Sequence, residues 1–235
     1  MIKSLFLASL LTMFATSCDT LSKLPGATSI TEQEAAQGIR EALDQGVGRG
    51  INLLNKQDGF FSNQAYKLLL PPDAQKIETT LRDLGMGGMV DRAILQINRA
   101  AEDAVGFARP IFVDAIRDMS IMDALNIVKG SRDAATQYFR QKTTEKLIAA
   151  FSPVIKQSLD KFQATKYYSD VVNTYNRFPT TLNKINPDLP SYVVGRSVDA
   201  LFDQIAKEEA NIRSNAGARS TEILKKVFGY ASKGF

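Results

Sequence analysis

Residues 31–55 carry two parallel rows of side chains. Ile39, Leu43, Val47 and Ile51 recur at every fourth position, with Leu54 extending the row. Gly38, Ala42, Gly46 and Gly50 recur in the same way beside them. A four-residue recurrence stacks side chains on one face of an α-helix, whereas a strand would place them at alternate positions. Interior glycines each cost about 1 kcal/mol relative to alanine in a helix. A row of small residues offsets that cost when a second helix packs closely against it. The first segment is therefore read as a helix inside a tightly packed helical assembly.

The same reading extends along the chain, because start and stop signals are legible. Thr31 with Glu34 forms a capping box for a helix to about Asn55. The stretch KQDGFFSN is a turn, and Ser62 is expected to cap a short helix that stops before Pro71-Pro72. Those prolines open a helix ending at Gly85. A long helix follows over residues 88–108, with Val90, Ile94, Ile97, Ala101 and Val105 as its core stripe, continuing or kinking at Pro110 to Met119. Ser120 with Asp123 caps a helix closed by Gly130. Ser131 is expected to cap the next, and another is expected over residues 143–162 with a kink at Pro153. Thr165 opens a helix ending before Pro179, NKINPDLP reads as a loop, and Asp188 caps a helix to about Arg213. Ser220 or Thr221 caps the last, with Gly229 as its stop. No run of alternating β-branched residues signals a strand. The fold class is thus all-α: a single bundle-like domain of about eight to ten helices, without a sheet.

Composition narrows the chemistry. The 235 residues contain no histidine, no tryptophan and one cysteine. Without histidine the usual nucleophile–base pairs cannot form, and the usual zinc and haem ligand sets cannot be assembled. No metal or other cofactor is implied, and no catalytic constellation is recognisable. Twenty-nine Lys and Arg against 25 Asp and Glu leave a mild, mixed charge of +4, so no nucleic-acid partner is expected.

The lone cysteine, Cys18, ends the stretch MIKSLFLASLLTMFATSC. Lys3 supplies a positive start, Leu5 to Phe14 an apolar stretch broken by Ser9 and Thr12, and Ala15-Thr16-Ser17 the small residues of a cleavage site. Two cuts after Ser17 fit. The stretch resembles a bacterial lipobox, in which the cysteine after the cut is acylated. Ala15-x-Ser17 also suits ordinary signal peptidase, which would release a soluble periplasmic protein. The expected organisation is a signal peptide at 1–17, a lipidated Cys18 with a flexible tether to residue 29, and an all-helical domain over 30–235. The expected place is the bacterial cell envelope, attached to a membrane through acylated Cys18 and facing the periplasm, with the envelope protein partner unspecified.

Four features invite a functional reading. GVGRG at 46–50 is neither GxGxxG nor a P-loop, and it follows no strand, so it reads as helix packing. Asn98, Arg99, Glu102 and Asp103 gather two acids beside a guanidinium. They read as a candidate polar site or as a solvated ion-pair group, since Arg99 lies three and four positions from the acids. Tyr168 and Tyr175 share a helical face and read as core or as an aromatic wall for a ligand. Lys225, Lys226 and Lys233 make the C-terminal helix basic, while Ile223, Leu224, Val227 and Phe228 can dock it on the body.

Several stretches together resemble a bacterial exported family known as domain of unknown function 4197. They are QDGFFSN at 57–63, LRDLGMGGMVDRAILQINRAAEDA at 81–104, DAATQYFRQKT at 133–143, and ALFDQIAKEEANIRSN with ILKKVFG between 200 and 229. The resemblance implies a mostly helical envelope protein and carries over no activity and no catalytic residue. Where relatives tend to read Asn-Pro, this chain has Asn215-Ala216, which implies a looser turn there. The expected function is binding or scaffolding in the envelope. A carrier of lipid or another small hydrophobic ligand, and an enzyme using Glu102 and Asp103, are the alternatives.

Overall fold

Two capping boxes set the frame. Thr31 and Glu34 exchange hydrogen bonds at the start of α1 (Glu32–Leu54), and Ser120 and Asp123 do the same at the start of α5 (Ile121–Lys129). The computed structural model describes residues 30–178 and 189–231. Between and after these two helices lie α2 (Gln75–Asp83), α3 (Gly87–Val105), α4 (Arg109–Arg117), α6 (Ala134–Lys161), α7 (Ala164–Asn176), α8 (Pro190–Ser214) and α9 (Glu222–Ala231). The described residues contain no strand, and the molecule is an all-α domain. Among them no helix is long and apolar enough to cross a membrane.

The long helices α1, α8, α6 and α3 pack in that order as neighbours. Helices α4, α5 and α9 cover α1, while α2 and α7 cover α3. The α3 stripe of Val90, Ile94, Ile97, Ala101 and Val105 is buried along its whole length. Phe112 of α4 meets Phe139 of α6 and Phe202 of α8 edge to face, at 5.1 and 6.0 Å between ring centres, and so joins three helices at one point.

The small-residue row of α1 faces α9 and α8, as its spacing requires. A Cβ added at Gly38 would lie 2.6 Å from Val227 Cγ2, closer than any side chain tolerates. At Gly46 and Gly50 the nearest atoms, Glu208 Cβ and Gln204 Cγ, would stand at 3.6 and 3.4 Å, which leaves room for a methyl group. Only the Gly38 contact therefore demands glycine.

Four sequence expectations need correction. Ser62 caps no helix: residues 62–70 are turns and irregular backbone. Asn63 Oδ1 accepts from Ala65 N–H at 3.1 Å, which closes a turn locally. Leu68 and Leu70 then reach the core on non-helical backbone. The amide of Asn98 makes this possible, accepting from Leu68 N–H at 2.9 Å and donating to Leu68 O at 2.8 Å. Second, the two helices expected on either side of residue 143 are one, α6. It passes through Pro153, whose exposed position lets the ring and the missing N–H be accommodated at the solvent side. Third, Ser131 does not cap α6. Glu209 of α8 does so from across the core: its Oε1 accepts from Ala135 N–H at 3.0 Å, and its Oε2 from Thr136 N–H at 2.9 Å and Thr136 Oγ at 2.8 Å. Fourth, α9 continues through Gly229 to Ala231. The leader, Cys18, the tether, Asp188, the residue 183–188 part of the expected loop and Lys233 lie outside the described residues.

Candidate functional site

Of the four polar residues of α3, Arg99, Glu102 and Asp103 border one cleft, and Asn98 stands apart from it. Asn98 is fully buried on the side facing the 66–70 segment, with its Nδ2 also bonded to Ile94 O at 2.7 Å. Glu102 is 4% exposed and faces the loop after α1. Its Oε1 accepts from both Phe60 N–H and Phe61 N–H at 3.1 Å, and its Oε2 accepts from Arg99 at 2.7 Å. Asp103 turns the other way, toward α6, where it accepts from Ser158 Oγ at 2.7 Å and Lys161 Nζ at 3.0 Å.

Arg99 reaches past Glu102 to Asp58 Oδ1 at 2.9 Å and lies against the Phe61 ring. It pairs with the acid three positions on, in a largely buried setting rather than the solvated one its spacing allowed. Burial alone would lower the basicity of the guanidinium. The bonds to Glu102 and Asp58 outweigh burial and hold it above its ordinary value. For Asp103 burial works toward a higher pKa. The Ser158 hydroxyl and the Lys161 ammonium outweigh it and keep the carboxyl below the usual carboxylate range.

The loop between α1 and residue 64 is built to meet these groups. Asn55 ends α1 and donates to Glu102 O at 2.6 Å. Asp58 adopts φ 68°, a left-handed conformation that is costly for a residue with a Cβ. Gly59 follows because a Cβ there would sit 2.4 Å from Leu54 O. The buried Glu102 carboxylate then takes the two amides that the turn leaves unpaired.

An open cleft of about 580 Å³ lies beside this loop, bordered by Lys56, Gln57, Gln96, Arg99, Glu102 and Asp103. Arg99, Glu102 and Asp103 are held in fixed partnerships, so this wall of the cleft is a preset polar surface. A general acid needs a carboxyl whose proton is retained near neutral pH, and Asp103 is shifted the opposite way. Among the described residues no group of three or more His, Cys, Asp or Glu could hold a metal ion.

Tyr168 is buried on the face of α7 that packs on α3, and Tyr175 is half-buried one or two turns along the same helix. They pack the helix to the core. The partners that complete the α3 cluster, Asn55, Asp58, Ser158 and Lys161, were not singled out by sequence. The stretch with Asp58-Gly59 reads as a turn from sequence and is one, but nothing in it names its partners on α3. Nothing local links Ser158 to a carboxylate 55 positions away.

A helical domain with a preset polar cleft, and with its buried acids committed to backbone amides, is the class these features define. The chain belongs to the family described as protein of unknown function (DUF4197), whose model matches residues 29–229. No curated protein and no solved structure matches it.

Proposed function

We propose that this chain is a lipoprotein of the bacterial cell envelope. Acylated Cys18 holds it to a membrane, and the helical domain faces the periplasm as a binding or scaffolding module. The observation that carries the reading is the lone cysteine at the end of an apolar leader, followed by eleven polar and small-residue-rich positions before Ile30. The cleft over α3 and α6 supports a binding role. Arg99, Glu102 and Asp103 are held in place before any partner arrives, which lowers the entropic cost of association.

A hydrophobic-ligand carrier needs an apolar cavity of several hundred cubic ångströms. The enclosed space among α1, α5, α8 and α9 is about 20 Å³, room for one water. For the carboxylate-enzyme alternative, Glu102 and Asp103 border the same cleft, but Glu102 is taken up by the Phe60 and Phe61 amides and Arg99, and Asp103 by Ser158 and Lys161.

The test uses the full-length chain in bacteria. Palmitate label on the wild type, membrane fractionation, and release of Cys18→Ala to the soluble fraction are expected. Crosslinking in intact envelopes is expected to capture an envelope protein with the wild type. Cys18→Ala remaining with membranes, with no label on the wild type, would overturn the anchor. Repeated crosslinking without any captured protein would overturn the binding role.

A further inference from the structure

Helix α5 buries Ala124, Ile127 and Val128 and turns other apolar residues outward. Met122 is 65% exposed, and Ile121 beside it is 39% exposed. Ile121, Leu125 and Val128 follow at i, i+4 and i+7, so they form a row along one side of the helix. That row leads into a groove of about 170 Å³ between α5, α9 and the start of α1, lined by Ile30, Ala35, Leu125, Val128 and Val227. Glu32 and Lys129 also line it, and the carboxylate of Asp123 is bonded to Ser120 nearby, so one positive and two negative charges give the face no attraction for anionic lipid.

The position of the groove matters because the described chain begins there, at Ile30. Twelve residue steps separate Ile30 from Cys18. Their fully extended reach is at most about 40 Å. An acyl group at Cys18 therefore keeps this end of the domain close to the bilayer. A tether of this length raises the local concentration of membrane seen by a neighbouring surface, so a contact too weak to hold a free domain becomes populated.

We propose that the face formed by Ile121, Met122 and Leu125 seats against the lipid bilayer, with Met122 entering the boundary between headgroups and acyl chains. The occupant is a lipid surface, and the attraction is apolar, so zwitterionic lipid suffices. The inference rests on acylation of Cys18 and fixes the orientation that the anchor alone leaves open. The α1 start and α5 lie at the membrane, while α2, which packs on α3 and α7, is held away from it.

The test uses the acylated full-length protein in phosphatidylcholine vesicles. Acylation occupies Cys18, so an introduced cysteine is the single labelling site. Met122→Cys and Leu84→Cys are each given an environment-sensitive fluorophore; Leu84 is a comparably exposed apolar control, 56% exposed, at the end of α2. Brominated phosphatidylcholine is expected to quench most of the fluorescence at 122 and little at 84, with no dependence on salt. In a second variant, Met122→Glu is expected to abolish quenching of a label at Ile121→Cys while the protein stays with the vesicles through its acyl group. Vesicle-bound protein with equal quenching at 122 and 84 would overturn the membrane face and leave the anchor standing. A label at 122 shielded from aqueous reagents but not quenched by brominated lipid would show the tether or a second copy on this face, and would overturn it too. Protein that carries no acyl group and does not sediment with vesicles would overturn the anchor and this inference together.

Discussion

Glu102 illustrates how one buried carboxylate can hold a turn. Three donors converge on it, two of them amides of a loop distant in sequence and the third Arg99. Glu102→Ala leaves the Phe60 and Phe61 amides without their acceptor, while Arg99 keeps its bond to Asp58. A buried donor left unsatisfied costs about 1–3 kcal/mol, so the variant is expected to lower the unfolding free energy by about 2–4 kcal/mol, measured by urea titration. Faster amide exchange is expected at Phe60 and Phe61. A loss below about 1 kcal/mol, with unchanged exchange at those amides, would show that the turn does not depend on the carboxylate. Asp103 gives a pH prediction. Its pKa in the folded chain lies below the ordinary value of about 3.9, because Ser158 and Lys161 together overcome the effect of burial. The group therefore contributes stability above its unfolded pKa, and the contribution is lost as pH falls through the lower folded value. Urea midpoints of the wild type are expected to fall more steeply below about pH 4 than those of Asp103→Asn, with parallel profiles at higher pH. Parallel profiles throughout the acid range would refute the assignment.

At the scale of elements, α1 separates two kinds of glycine that its sequence presents alike. Gly38 sits under Val227 of α9, with no space for a methyl group. Gly46 has space for one beside Glu208. Gly38→Ala is expected to destabilise by about 1–3 kcal/mol through overpacking. Gly46→Ala is expected to be neutral or to stabilise by up to about 1 kcal/mol through helix propensity. Thermal or urea unfolding of the two variants checks the contrast, and equal effects would remove the α9 contact as its cause. Helix ends were legible wherever a residue caps its own helix, as at Thr31–Glu34 and Ser120–Asp123. They were not legible where the capping group comes from elsewhere. The start of α6 is held by Glu209, more than 70 positions away, and no local pattern announces that. The Ser62 helix failed for a related reason. A serine before a short apolar run fits a cap locally, but the side chain of Asn98 offers the backbone of Leu68 both of its hydrogen bonds, and the segment stays non-helical.

Over the whole molecule, the sequence by itself determined the all-α class, the spans of the self-capped helices α1 and α5, the apolar faces of α1 and α3, and the family. These follow from periodicity and short-range capping, which act within a few residues and can be read in any window of the chain. The leader and the acylated Cys18 proposed above rest on the sequence alone. Only the tertiary structure decided which polar residues of α3 work together. Asn98 and Glu102 are four apart and share one side of the helix, and Arg99 and Asp103 share the side next to it. Asn98 meets the 66–70 segment, Glu102 the loop one turn further along, and Asp103 helix α6. Their partners are set by which helices lie against α3, and that is fixed by burial of the whole core rather than by any local stretch of the chain.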